Sequence, residues 1–127
     1  MADPSATNPW AAQVLNFDST RQDSTPWVFV KKDPAGVAID NTGNTYKLEA
    51  HPEQEPADET DQTFALVGVA GGSNGYITFS PTGGAGGNTD PAEEEIYYDV
   101  VETAAGKERT IFKGRITFGP RITDKGV

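Results

Sequence analysis

Cysteine is absent from this 127-residue chain. That one absence removes disulfides, thiol nucleophiles and thiolate metal sites together. Histidine is nearly absent as well. His51 stands alone, before a proline in a polar stretch, and reads as an exposed imidazole without the partner that acid–base or triad chemistry needs. A zinc site would have to be built from carboxylates, which zinc rarely accepts alone. Positive charge is scarce: 10 basic against 19 acidic residues leave a net charge of −9. Such a surface repels phosphate backbones and anionic lipid, so neither nucleic acid nor membrane is an expected partner. The start, Met1-Ala2-Asp3-Pro4-Ser5, lacks the basic and apolar regions of a signal peptide. No apolar run approaches the roughly 18 residues of a membrane span. The expectation is a soluble protein made in the cytoplasm, without a cofactor.

Glycine (14) and proline (9) are plentiful, and aromatics reach 9%, more than disordered chains usually carry. Residues 1–24, rich in Pro, Ser, Thr, Asn and Asp, read as an N-terminal arm. It carries three apolar anchors, Trp10, Leu15 and Phe17, in a segment too short to fold alone. Aromatic anchors are enriched at interfaces, so these three are the candidate partner-binding residues.

From Trp27 the pattern turns to the period-2 alternation of half-buried strands. Trp27–Val30, Val37–Ile39, Thr45–Ala50, Thr63–Val69, Tyr76–Phe79, Ile96–Val101 and Thr110–Phe118 make six or seven strands. Their spacing suits a β-sandwich over residues 25–127. The alternation places Trp27, Phe29, Tyr46, Leu48, Phe64, Leu66, Ile77, Phe79, Phe112, Ile116 and Phe118 in the core. Asn74-Gly75 closes a hairpin turn and favours type I′ geometry. Two segments read as mobile loops, the acidic stretch 51–62 and residues 81–94 with the run Gly83-Gly84-Ala85-Gly86-Gly87. The glycines lack a following Lys-Ser/Thr, so a phosphate loop is a poor reading. Two acidic clusters, Asp58/Glu59/Asp61 and Asp90/Glu93/Glu94/Glu95, could offer oxygens to calcium. Neither has the spacing of a calcium loop, and the simpler reading is a solvated surface. Loop carboxylates also lack the fixed separation a glycosidase pair requires. The chain reads as no enzyme.

The early strand Trp27-Val28-Phe29-Val30 leads to Gly36-Val37-Ala38-Ile39-Asp40-Asn41-Thr42-Gly43. Later come Tyr97-Tyr98-Asp99-Val100, Gly106, Gly114-Arg115-Ile116-Thr117-Phe118 and Thr123. This order of motifs resembles an Ig-like domain common in tailed-phage structural proteins, similar to the N-terminal domain of the phage baseplate upper protein. Asn41 stands where that pattern has an apolar residue, which predicts a weaker anchor for its turn. The resemblance covers residues 25–123 and implies a single Ig-like antiparallel β-sandwich. It also implies a virion structural protein that binds capsid, neck or tail/baseplate subunits in many copies. The alternative function class is a carbohydrate- or receptor-binding β-sandwich.

Overall fold

A computed structural model describes residues 12–53 and 63–120. The fold is all-β: β1 (Gln13–Val14), β2 (Phe17–Thr20), β3 (Trp27–Val30), β4 (Thr45–His51), β5 (Phe64–Ala70), β6 (Tyr76–Phe79), β7 (Glu95–Ala104) and β8 (Lys107–Gly119). They form one curled sheet in the order β1-β8-β7-β4-β5-β6-β3, with β2 also on the β8 edge. The pairing is mixed rather than purely antiparallel, because β1 and β2 both run parallel to β8. Among the described residues eight strands therefore replace the expected six or seven. Two come from the arm, while the expected strand at 37–39 is reduced to a bridge between Lys32 and Ala38.

The curl has a local cause at Gly68. There β5 pairs with β4 through Gly68 and with β6 beyond it, at Val69 and Ala70. A Cβ on Gly68 would stand 2.8 Å from the Phe79 ring, so only glycine lets β6 fold over at this point. The two ends of the sheet then face each other across one core. Phe29 of β3 meets Phe112 of β8 at 5.1 Å and Tyr98 of β7 at 5.8 Å between ring centroids.

Ten of the eleven expected core residues are buried; Leu66 is only partly so. Ala50, Ile96, Tyr98 and Val100 complete the core. Asn41 corrects the expectation of a weak turn anchor. It is fully buried, its side chain donates to the Tyr76 carbonyl (3.0 Å) and accepts from the Gly72 amide (2.9 Å). An apolar side chain could make neither bond. The hairpin after β5 also departs from type I′, since Gly72 and Gly75 take positive φ and Asn74 does not. The two-residue type I′ pattern falls instead between β7 and β8, where Ala105 (φ 52°) and Gly106 (φ 78°) both lie in the left-handed region.

Candidate functional site

The described part of the arm belongs to the sheet, so the expected boundary at residue 24 falls inside the folded unit. Trp10 lies outside the described residues. Leu15 and Phe17 pack on their own core. The Phe17 ring lies 5.5 Å from Trp27, 5.9 Å from Phe29 and 5.4 Å from Tyr98. The Leu15 amide donates to the Lys113 carbonyl, and its own carbonyl accepts from the Tyr98 hydroxyl at 2.7 Å. Gly114 makes this approach possible, because a Cβ there would collide with the Leu15 carbonyl. A glycine on the apolar face of β8 was the one sequence signal of that close contact.

Segment 81–94 is ordered, against the expectation of a mobile loop. Thr82 and Asn88 bond each other reciprocally, and Thr89 is fully buried. Gly84 donates to the Gln22 carbonyl, while Gln22 donates to the Thr89 carbonyl. Asp90 fastens the loop to the chain after β2. It accepts from the Gly86 amide (3.1 Å), Arg21 (3.2 Å) and Gln22 (3.5 Å). The Gly86 amide and the Arg21 guanidinium hold its carboxyl below the usual range. Asp90 is therefore a brace. No group of three or more His, Cys, Asp or Glu able to hold a metal occurs among the described residues. Asp58, Glu59 and Asp61 lie outside them, as does most of the 51–62 segment.

Glu102 is the principal buried charge, 1% exposed, at an inward position of β7. Its carboxylate accepts from Lys31 (2.7 Å), the Tyr46 hydroxyl (2.7 Å), Arg109 (2.9 Å) and Asn44 (3.3 Å). Burial alone would raise its pKa; the hydrogen bonds from Lys31 and Tyr46 and the Lys31 charge reverse that and lower it. Burial, aided by Glu102, pushes the Tyr46 phenol up to about 12. Every oxygen of the group is satisfied from within, which makes it a structural pin between β4, β7, β8 and Lys31, the residue that follows β3.

His51 is not an exposed loop residue. It ends β4, pairs with Tyr97, and has a mostly buried side chain 3.9 Å from Glu49. With Asp99 it lines an open cleft of 690 Å³ on the outward face of β4, β7 and β8. The His51 Nδ1 and Asp99 Oδ1 atoms are buried with no hydrogen-bond partner. Burial, then the facing Glu49 carboxylate, raises the Asp99 pKa, and His51 offsets this in part. A raised carboxyl favours the fold fully below its ordinary value of 3.8 and loses that contribution as pH rises through the folded-state value. Asp99→Asn should therefore melt higher than the parent at pH 7, with the gain fading below pH 4. Melting curves across that range check the sign.

The outward faces of the sheet differ in chemistry. On β4, β7 and β8 they carry Lys47, Glu49, Glu95, Asp99, Lys113 and Arg115. On β5, β6 and β3 they carry Ala65, Val67, Val69, Tyr76, Thr78, Val28 and Val30, with no charge at all. Val67 is 78% exposed and Val69 68%, and Val28 and Tyr76 are exposed beside them. Register makes the patch continuous, since Thr78 pairs with Val28 on one side and Val69 on the other. Sequence reading missed this face because alternation in Phe64–Ala70 is apolar on both sides. Searches of known protein families, characterised proteins and solved structures find no match to this chain.

Proposed function

We propose that this chain is a non-enzymatic structural subunit of a tailed-phage virion, held in place by protein–protein contact through its sheet surface. The observation that carries the reading is the uncharged face of β5, β6 and β3 on a chain of net charge −9. Exposed apolar strands in neighbouring register are what a partner covers. Each valine fully withdrawn from water there contributes on the order of 1.5 kcal/mol or more. The motif order from Trp27 to Thr123 supports the phage assignment, and with it placement among capsid, neck or tail/baseplate subunits in many copies.

An Ig-like sandwich is the finer reading of the curled sheet. The adjacent order β8-β7-β4 matches one Ig layer (G, F and C), and β6-β3 matches part of the other (E and B). The docking of Phe29 on Phe112 supports two facing layers.

Particles assembled without the protein provide the test. Added wild-type chain should bind them saturably, and the Val67→Glu/Val69→Glu double variant should bind at least about tenfold more weakly. The variant should keep its melting temperature, because both side chains are already solvated. Equal binding by the two proteins would remove this face from the assembly contact.

A further inference from the structure

The charged part of the sheet holds the open cleft that His51 and Asp99 line. Strand register sets its side chains in two cross-strand rows: His51, Tyr97 and Arg115 in one, Asp99 and Lys113 in the other, with Glu49 beyond Asp99 outside the lining. All five lining residues stand on paired strands rather than on loops, so their spacing is fixed by the ladder. Its volume of 690 Å³ falls in the range typical of small-molecule sites, about 300–1,000 Å³.

Stability does not explain this arrangement. Asp99 is half-buried opposite a second carboxylate, and one of its oxygens and one His51 nitrogen lack any partner. A threonine or valine would suit either strand position better. Unsatisfied polar groups and a perturbed carboxyl gathered in one cleft are the physical signature of a binding site.

The wall chemistry restricts the occupant. Asp99 and Glu53 supply acceptors and Lys113 and Arg115 supply donors, with Asp99 directly opposite Lys113 and Tyr97 directly opposite Arg115. An anion would meet the carboxylates, and a cation would meet the ammonium and guanidinium groups. A neutral ligand whose adjacent atoms both donate and accept meets neither penalty, and an apolar C–H face would suit the tyrosine ring. We propose that the cleft is a saccharide site, in which vicinal hydroxyls of a neutral hexose bridge Asp99 and Lys113 with the sugar ring against Tyr97. This goes beyond the assembly reading and uses a different face of the sheet.

The test is amide NMR of the full chain titrated with glucose, galactose, mannose, N-acetylglucosamine and glucuronate, each to about 50 mM, which reaches weak single-site affinities. At least one neutral sugar should give saturable shifts centred on Tyr97, Asp99, Lys113 and Arg115. Asp99→Asn and Tyr97→Ala should each weaken that binding about tenfold or more while keeping a folded spectrum. The Val67→Glu/Val69→Glu variant should bind sugar normally, which separates this site from the assembly face. No saturable shift with any neutral sugar, binding of glucuronate alone, or unchanged affinity in Asp99→Asn would each overturn the proposal.

Discussion

A chain that begins at Ser24 should lose most of its stability. The truncation removes β2, whose four residues pair with Ile116–Gly119 at the edge of β8. It also removes Phe17 from between Trp27, Phe29 and Tyr98. Phe17 is partly buried, so its loss costs less than the about 3–5 kcal/mol of a fully buried phenylalanine, yet it adds to the lost strand pairing against a total of about 5–15 kcal/mol for an ordinary domain. The Tyr98 hydroxyl loses its Leu15 acceptor, and loop 81–94 loses both Arg21 and Gln22. Urea unfolding of the truncated chain should show a midpoint far below that of the full chain, or no folded baseline. A midpoint unchanged from the full chain would mean that β1 and β2 merely lie on the surface.

Lys31→Met should be the most damaging single substitution of a charged residue. It leaves the Glu102 carboxylate buried with its closest cation gone, and breaking such a pair from one side costs about 3–5 kcal/mol. The pH dependence gives an independent check. The folded-state pKa of Glu102 lies below its ordinary 4.5. The network therefore stabilises fully above that ordinary value and loses its contribution as pH falls through the lowered one. The deficit of Lys31→Met should be largest near neutral pH and shrink in acid, where Glu102 takes up a proton in both proteins. Lys31→Met combined with Glu102→Leu should recover much of the loss, since no buried charge then remains. A single variant as stable as the parent at pH 7 would show that the ion pair contributes nothing.

The sequence made the core legible because strand alternation is a local signal. Tyr46-Lys47-Leu48-Glu49-Ala50 states which face is inward without reference to any other strand. Ile96–Val101 was less decisive. Tyr97-Tyr98 and Val100-Val101 put apolar groups on both faces, and a bulge between Val100 and Val101 shifts the register with β8. The inward place of Glu102 follows from partners 56 and 71 residues away, which no window of sequence reveals. The same distance hid the ordering of the glycine loop, whose bonds run to Arg21 and Gln22, and the parallel pairing of Phe17 with Ile116. His51 read as loop because Pro52 follows it, yet β4 runs through His51. Of the three arm anchors, Leu15 and Phe17 serve their own core. The uncharged valine face could emerge only once β5, β6 and β3 were placed side by side.

Cryo-electron microscopy of the phage particle to which the proposal assigns this chain tests the central claim most directly. The proposal expects the domain in the particle with a neighbouring subunit covering Val28, Val67, Val69 and Tyr76, and with Phe17 still inside its own core. A map in which that face looks into solvent while another surface makes the contact, or in which the chain has no place in the particle, would contradict it.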